Sequence, residues 1–411
     1  MPSLPGSPSD RRGVRPGAGT GGGVCETEMA MPTDTVAAPP SFIPVCEPAL
    51  GGREREYVLD CLDSNWISSI GKYITRFEET FAGCCGAEHG IACSSGTAAL
   101  HLALEALGVG PGDEVIVPAF NLIVGATTVC MAGATPVLVD VQPDTWCIDP
   151  ARIEERITPR TRAIMAVHMY GHPADMPAIM EIAERHGLKV LEDGAEAHGA
   201  VCHGRTVGSI GHAAAFSFYG NKIITTGEGG MVVTRDVGIA ERARLLRNQA
   251  FTAERFVHYD VGFNYRMTNI QAAIGLAQCE RLAECVARKI RIAGVYTELL
   301  AGEASLTLPH QAPWAKNVYW MYGLLIEESF GRTRDELREM LAQRGVDTRS
   351  FFHPLHLQPV FQGDHPRWAD LRGSFPVSED LGCRGLYLPS GYSLTPETQQ
   401  EVVRRLLDCK R

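Results

Sequence analysis

Lys222 lies in the stretch Ser217–Met231, SFYGNKIITTGEGGM, between a short apolar run and a group of glycines. This pattern predicts a strand over Ala213–Phe218, a tight loop that carries the lysine, and a return strand at Met231–Thr234. A lysine on such a loop can lose part of its hydration, which lowers the pKa of its amine and makes it nucleophilic towards carbonyl groups. An ordinary surface lysine in a turn would show the same local pattern.

A carboxylate precedes this lysine in the chain. The stretch Val190–Gly199, VLEDGAEAHG, indicates a buried strand that ends at Asp193. Enzymes that use pyridoxal phosphate (PLP) need an acid that keeps a proton on the pyridine nitrogen and a lysine that binds the cofactor covalently. Asp193 and Lys222 together therefore indicate PLP chemistry.

A phosphate site is predicted at the start of the helix Ser95–Leu107. The residues that open it, Ser94-Ser95-Gly96-Thr97, offer free backbone N–H groups, hydroxyls and the positive end of the helix dipole. On its own this sequence is typical of an ordinary helix N-cap. Next to Asp193 and Lys222, it is suited to the phosphate of PLP.

Alternating strands and helices position these residues. Apolar runs predict strands, and runs with helical spacing predict helices between them. The predicted strands are His89–Ser94, Glu114–Pro118, Pro136–Val141, Ala163–Val167 and Lys189–Glu192, and the helices include Phe120–Ala132 and Met176–His186. This alternation predicts a parallel sheet with helices on both faces, in which ligands lie at the carboxyl ends of the strands. The predicted site residues fall at those ends.

The C-terminal part of the chain has a different pattern. A long helix is predicted from Val261 towards Leu300, and after it come strands and amphipathic helices. The predicted elements are Tyr319–Ile326, Thr333–Arg344 with Gly345 as its stop, and a last helix from Thr395 with Pro396 in its first turn. We therefore expect a large domain over residues 41–290 and a smaller one over 291–411. Residues 1–40, rich in Gly, Pro, Ser and Arg, are expected to be disordered.

Composition excludes several classes of protein. The 411 residues carry a formal net charge of −10 and no basic tract, which argues against nucleic acid as the main partner. No run of about eighteen apolar residues occurs, so neither a transmembrane helix nor a membrane partner is predicted. The 13 cysteines form no Cys-x-x-Cys pair, which favours reduced thiols in a cytoplasmic protein over disulfides or zinc.

Four blocks of the sequence together resemble the DegT/StrS-type sugar aminotransferases, which are PLP enzymes of fold type I. The blocks are SSGTAAL, EDGAEAHGA, SFYGNKIITTGEGGM and GFNYRMTNIQAAIG, in the family's order. The resemblance extends from about Ile43 to the C-terminus, and the residues around Lys222 are most similar to members that make GDP-linked amino sugars. It implies an α/β fold with a large, mostly parallel sheet flanked by helices and a smaller C-terminal α+β domain.

The resemblance also implies a role for each residue of the cofactor site. Lys222 is expected to bind PLP covalently and to move a proton at the substrate carbon, and Asp193 is expected to keep the pyridine nitrogen protonated. Glu196 is expected beside the hydroxyl of the ring. The residues expected to hold the phosphate are Ser95, Gly96, Thr97 and Ser217, with Asn264 supplied by the partner subunit of a homodimer.

The residue that covers the pyridine ring departs from the family pattern. Members often carry an aromatic side chain four residues after the proline that corresponds to Pro118, and this chain has Leu122 there. Phe120 and Asn121 are neighbouring alternatives. An aliphatic side chain would still supply contact area to a flat ring.

Seven residues are candidates for the substrate side of the site. The resemblance places Asn65–Tyr73 at the mouth of the site and Val346–His356 where the family binds substrate. His168, at the end of a predicted strand, is a candidate from its position, although a hydrogen-bonded core histidine fits equally well. The seven candidates are Trp66, Ser68, Tyr73, His168, Arg349, His353 and His356. The tryptophan fits a buried anchor equally well. No metal site is predicted, because the histidine pair of the second segment lacks further ligands at usable spacing.

The resemblance implies an enzyme that takes the amino group of L-glutamate and gives it to a nucleotide-linked keto-sugar, with a 4-keto-6-deoxyhexose as the expected substrate. A 3-keto-sugar or inosose aminotransferase of the same family would carry the same catalytic residues and stays open. Family dehydratases have histidine at the position of Lys222, which disfavours that activity. A non-catalytic regulator with this fold is the alternative from another class, and the joint presence of Lys222, Asp193 and Ser217 argues against it.

Overall fold

The computed structural model describes residues 42–254, 256–363 and 371–411. The tail over residues 1–40, predicted to be disordered, lies outside the described residues. The helices are α1 Glu54–Asp63, α2 Lys72–Cys85, α3 Gly96–Ala106, α4 Val124–Met131, α5 Met176–His186, α6 Val237–Arg247, α7 Asn269–Cys279, α8 Leu282–Leu299, α9 Arg334–Gln343, α10 Pro376–Arg384 and α11 Pro396–Leu407. Within the described ranges, none of them combines the length and apolar character needed to cross a lipid bilayer.

The strands are β1 His89–Cys93, β2 Glu114–Pro118, β3 Thr135–Val139, β4 Thr161–Val167, β5 Lys189–Asp193, β6 Val201–Cys202, β7 Arg205–Thr206, β8 Ala213–Ser217, β9 Gly230–Thr234, β10 Leu306–Thr307, β11 Ala315–Lys316, β12 Tyr322–Ile326, β13 Arg349–Ser350 and β14 Gly385–Leu388. Across the described residues they form a seven-stranded sheet in the order β1-β9-β8-β5-β4-β2-β3, a four-stranded sheet β10-β12-β14-β13 and a small sheet β11-β6-β7.

The large sheet is mostly parallel. Among its described strands, β9 runs antiparallel to both neighbours, and the pairs from β8 to β3 are parallel. Strands β2 and β9 are buried along their whole lengths, as expected where helices cover both faces. The prediction of an α/β fold with a mostly parallel sheet is confirmed. Because β1 and β8 both pair antiparallel with β9, the carboxyl ends of β1, β5 and β8 lie at one edge.

Several helix boundaries lie where local sequence signals predict them. Helix α5 has the predicted bounds and stops at Gly187, whose φ of 65° is left-handed and suits glycine. Thr333 caps α9 in a capping box with Glu336. Helix α11 starts as predicted, with Thr395 as its N-cap and Pro396 in its first turn.

The single long helix predicted from Val261 towards Leu300 is wrong, because two helices occupy this part of the chain. Helix α7 starts only after Thr268, which forms a capping box with Gln271. Between α7 and α8, Arg281 leaves helical geometry with φ −112° and ψ 7°. Neither glycine nor proline marks this break, so the apolar spacing gave no sign of it.

The helix predicted over Phe120–Ala132 is also shorter, because it starts at Val124 as α4. Phe120 and Asn121 are instead buried directly after β2. The segment before α4 therefore passes over the carboxyl edge of the sheet, which brings Leu122 to the candidate site.

Helix α8 passes from one hydrophobic cluster to another. Near its start, Leu282 and Val286 pack in the cluster around the large sheet. Near its end, Ile292 and Tyr296 pack in the cluster that includes β12, β14, α9 and α11. The predicted boundary between residues 290 and 291 falls at this change of partners, and the division into two domains remains a prediction.

Candidate active site

One cavity of about 330 Å³ opens at the carboxyl edge of the large sheet, where β5 and β8 end. It brings together residues that are far apart in the chain, including eight of the nine predicted to bind the cofactor. These eight are Ser95, Gly96, Thr97, Leu122, Asp193, Glu196, Ser217 and Lys222. The sheet topology explains this convergence, because three strand ends and the start of α3 meet there.

Lys222 lies in the loop after β8 with its amine inside the cavity. Its backbone N–H donates to the carbonyl of Tyr219 at 2.9 Å, and 8% of the residue is exposed. The Nζ atom lies 3.8 Å from Oε1 of Glu196 and 4.0 Å from the ring centroid of Trp320. Burial lowers the pKa of Lys222, against the opposing charges of Glu196 and Asp193. The site therefore favours the neutral, nucleophilic amine more than water does.

Asp193 is the last residue of β5 and is buried. Its Oδ1 accepts a hydrogen bond from the backbone N–H of Ala195 at 3.1 Å, and its main-chain carbonyl accepts one from the N–H of His168 at 3.1 Å. Burial raises the pKa of this carboxyl group. A buried carboxylate with few donors gains from a cationic partner, as a protonated pyridine would be.

Glu196 lies between the lysine and a strained turn. Its Oε2 accepts a hydrogen bond from the backbone N–H of Tyr170 at 2.8 Å. Tyr170 has a left-handed φ of 51°, which is costly for a tyrosine and aims this N–H at the carboxylate. Burial raises the pKa of Glu196 to about 7, and the opposing effect of Lys222 is smaller. Glu196 and Lys222 therefore form a coupled pair in which the charge of each side chain shifts the pKa of the other.

The start of α3 and the end of β8 form an anion site. Ser95 caps the helix by accepting from the N–H of Ala98 at 3.1 Å, which leaves the N–H groups of Gly96 and Thr97 without a partner in the helix. A Cβ atom at Gly96 would lie 2.6 Å from the Cβ of Ser217, and one at Gly230 would lie 2.2 Å from the carbonyl oxygen of Ser95. Glycine at these positions lets the helix start approach the Ser217 hydroxyl. This arrangement of donors fits the phosphate of PLP.

Two histidines predicted on the substrate side are buried outside the Lys222 cavity. His168 is completely buried and lies outside the cavity lining. Its Nε2 is 3.1 Å from Oε2 of Glu192, and its Nδ1 accepts from the N–H of Ala174 at 3.0 Å. His356 is also buried, with Nε2 3.1 Å from Oε1 of Glu379. The structure does not bring either side chain to Lys222, because their hydrogen bonds hold them in the core.

The segment predicted at the mouth of the site lies elsewhere in the single chain. Trp66 is 55% exposed and lines a separate cavity of about 480 Å³. Ser68 is exposed, and its carbonyl accepts from the N–H of Asn269 at 2.6 Å. Tyr73 is buried with its ring centroid 5.0 Å from that of Tyr57. None of these three predicted substrate residues lines the Lys222 cavity.

The remaining predicted residues lie outside the cavity lining as well. Arg349 pairs with Asp347, and its strand places it opposite the cavity residue Tyr387. His353 is exposed, with Nε2 3.1 Å from the carbonyl oxygen of Leu357. Asn264 is exposed on a β-bridge to residue 248. Within one chain, the phosphate role of Asn264 remains a prediction.

Aromatic residues from the C-terminal part complete the cavity, and the sequence analysis did not identify them. Trp320, Phe352 and Tyr387 line it, as do Tyr219, Asn221 and Glu228 from the lysine loop and its return. Phe352 falls inside the predicted substrate segment, so its neighbourhood was found although the residue was not. Trp320 and Tyr387 reach the site through tertiary packing, which no local pattern reveals. Among the described residues, no group of His, Cys, Asp or Glu side chains could hold a metal ion.

Comparison with known proteins supports the resemblance drawn from the four blocks. Residues 48–407 match the DegT/DnrJ/EryC1/StrS aminotransferase family. The chain is 49% identical over 366 residues to the GDP-perosamine synthase of Caulobacter vibrioides, covering 89% of this chain and 97% of that protein. It is 40% identical over 376 residues to the GDP-perosamine synthase of Vibrio cholerae, covering 90% and 100%. The predicted family resemblance is confirmed.

Two further similarities concern substrate choice and fold. The dTDP-3-amino-3,4,6-trideoxy-alpha-D-glucose transaminase of Streptomyces venezuelae is 40% identical over 344 residues, covering 83% of this chain and 87% of that protein. The solved structure of S. venezuelae DesV, in complex with a ketimine intermediate, superposes with a TM-score of 0.81 at 39% identity and covers 87% of this chain and 95% of its own.

Proposed function

The chain belongs to the DegT/DnrJ/EryC1/StrS aminotransferase family, and we propose that it transfers the amino group of L-glutamate to a nucleotide-linked 4-keto-6-deoxyhexose. As a member, it is a PLP-dependent nucleotide-sugar aminotransferase. The observation that carries the residue assignment is the convergence of Lys222, Asp193 and the start of α3 on one cavity. The choice of sugar is supported by the GDP-perosamine synthases, two of which are covered over 97% and 100% of their lengths.

PLP, when bound, supplies a carbonyl carbon for the amine and a ring that accepts electrons. Lys222 would hold the cofactor covalently and, once released, its Nζ would remove and return the proton at the substrate carbon. Asp193 would keep the pyridine nitrogen protonated through its buried charge. The phosphate would be held by the N–H groups at the start of α3 and by the hydroxyls of Thr97 and Ser217.

The pair of Glu196 and Lys222 would assist this proton transfer. With Glu196 Oε1 3.8 Å from Lys222 Nζ, a negative Glu196 stabilises the ammonium form and a neutral Glu196 releases the amine. A pKa of about 7 for Glu196 allows both forms near neutral pH. The rings of Trp320 and Phe352 line the pocket and give it apolar walls, beside which electrostatic effects are stronger than in water.

We further propose a homodimer that works in the cytoplasm and shares its active sites between subunits. Asn264, Trp66 and Ser68 are exposed and lie away from the cavity of their own chain. Exposed candidates of this kind are available to the site of a second copy, and two-fold dimers are the commonest oligomers. Asn264 would then complete the phosphate site of the partner.

A second candidate is amination of a 3-keto-sugar. It is favoured by the 40% identity to a transaminase whose product carries nitrogen at carbon 3. The proposed catalytic residues serve both reactions, because they act on the amine and not on the rest of the sugar.

Product analysis tests the proposal. The PLP-loaded protein is incubated with L-glutamate and a panel of GDP- and dTDP-linked 4-keto and 3-keto sugars, with the Lys222→Ala variant as control. We expect 2-oxoglutarate and a GDP-linked sugar with nitrogen at carbon 4, detected by mass spectrometry and NMR, and no product from the variant. Nitrogen at carbon 3 would support the second candidate. Failure to aminate any sugar of the panel would contradict the proposed function.

A further inference from the structure

The backbone on both sides of Lys222 is held by aromatic side chains from distant parts of the sequence. Trp320 donates from Nε1 to the carbonyl of Asn221 at 2.7 Å. Tyr392 donates from its hydroxyl to the carbonyl of Ile223. Asn221 and Ile223 are the immediate neighbours of Lys222, so one bond is made just before the lysine and one just after it.

A buried lysine connects these two aromatic residues. Lys289, on α8, is 1% exposed, and its Nζ donates to the carbonyls of Trp320 at 3.1 Å and Ser390 at 2.6 Å. The same Nζ lies 5.0 Å from the ring centroid of Tyr392. Its hydrogen-bond acceptors within the described chain are main-chain carbonyls, and burial lowers the pKa of Lys289. A lysine buried without a carboxylate partner is costly, which indicates a specific role.

We propose that Lys289, Trp320 and Tyr392 form a clamp that fixes the backbone around Lys222 and thereby holds its amine in the cavity. The inference rests on the proposed function, because it takes Lys222 as the reactive amine. Lys289 and Tyr392 are positioning residues that act through the loop. Trp320 acts in two ways, because its Nε1 binds the loop and its ring face contacts the Nζ of Lys222.

The bonds made within the loop hold mainly its two ends, and the carbonyls on either side of Lys222 are bound from outside the loop. Among the described residues, the N–H of Lys222 donates to Tyr219, and the N–H of Thr226 donates to Phe218 at 2.9 Å. Gly220 and Gly227 flank the lysine, and Gly227 has a left-handed φ of 82°. Glycines leave a loop free to adopt other conformations. The clamp residues all follow residue 282 in the chain, and their bonds to the loop favour one of its conformations.

Hydrogen exchange on the cofactor-free protein tests the clamp without relying on activity. Tyr392→Phe keeps the ring and removes only the hydroxyl, and Lys289→Met keeps the volume and removes the donors. The control is Tyr296→Phe, which removes a buried hydroxyl that donates to the carbonyl of Pro389 at 2.9 Å and not to the loop. A hydrogen bond of ordinary strength corresponds to about a tenfold change in an opening equilibrium.

We expect peptides covering Phe218–Gly227 to exchange about tenfold faster in both clamp variants and at the wild-type rate in the control. In the loaded enzyme, Tyr392→Phe should lower kcat by about ten- to a hundredfold, because a misplaced reactive group slows the reaction. The KM for the sugar should stay within about twofold of wild type, because binding does not need the clamp.

Wild-type exchange over Phe218–Gly227 in Tyr392→Phe would overturn the proposal, as would an equal rise in Tyr296→Phe. Faster exchange with an unchanged kcat would overturn the claim that the clamp positions the amine. A wild-type protein without aminotransferase activity would contradict the proposed function instead, while the exchange result would still decide whether the clamp exists.

Discussion

Replacing Gly96 by alanine tests the anion site at the start of α3. A Cβ atom there would lie 2.6 Å from the Cβ and 3.0 Å from the Oγ of Ser217. Carbon atoms in contact are separated by about 3.5–4.0 Å, so the segments that carry residue 96 and Ser217 must move apart by about 1 Å. Ser217 ends a strand that pairs on both sides, and the start of α3 must therefore yield.

A displacement of about 1 Å takes the N–H groups of Gly96 and Thr97 out of hydrogen-bond range of a phosphate held against Ser217. A hydrogen bond to a charged group contributes about 1.5–3 kcal/mol, so the loss of one weakens PLP binding by about ten- to a hundredfold. Overpacking should also lower the free energy of unfolding by about 1–3 kcal/mol.

Titration of cofactor-free Gly96→Ala with PLP, followed by absorbance, measures the predicted loss. The control is Gly83→Ala in α2, where a Cβ atom meets nothing within 4 Å. The control should bind PLP like wild type and gain up to about 1 kcal/mol in stability, because alanine favours a helix. A folded Gly96→Ala protein with wild-type affinity for PLP would refute the assignment of this phosphate site.

Three further predictions concern the acids and the second subunit. Because the pKa of Glu196 is about 7 in the native protein against an ordinary 4.5, the contribution of Glu196 to wild-type stability should fall by about 3 kcal/mol as pH rises through this window. Glutamine does not titrate, so the free energy of unfolding of Glu196→Gln, measured at about pH 5 and pH 8, should lack this fall. If the two proteins differ in free energy of unfolding by the same amount at both pH values, the argument is contradicted. Asp193→Asn should lower turnover by orders of magnitude with modest loss of PLP, so a near-normal rate would show that another group holds the pyridine proton. Lys222→Ala refolded together with Asn264→Trp should regain about a quarter of wild-type activity if sites are shared, and background activity would exclude sharing.

Local sequence patterns were sufficient for the residues that act through their own strand or helix end. Asp193 follows an apolar strand, Ser95 opens a helix, and Lys222 lies between a strand and glycines, so each could be placed at the carboxyl edge of the sheet. The left-handed Tyr170, which directs a backbone N–H to Glu196, follows no such pattern. Its conformation depends on the surrounding tertiary structure.

The features that the sequence did not predict depend on long-range packing. Trp320 reaches Asn221, 99 residues away in the chain, and Tyr392 reaches Ile223 over 169 residues. Helix α8, which carries Lys289, could not be separated from α7 because Arg281 breaks the helix without a glycine or proline. Tertiary packing also places Trp66 at a cavity separate from that of Lys222.

Chemical trapping of the cofactor tests the central claim most directly. The PLP-loaded protein is reduced with borohydride and digested with trypsin, and the peptides are identified by mass spectrometry. Attachment at Lys222 blocks cleavage there, so we predict a cofactor-bearing peptide over residues 206–235, between the cleavage sites after Arg205 and Arg235. The same peptide should be missing from Lys222→Ala. Attachment at any other lysine, with unmodified cleavage after Lys222, would contradict the assignment of the reactive amine.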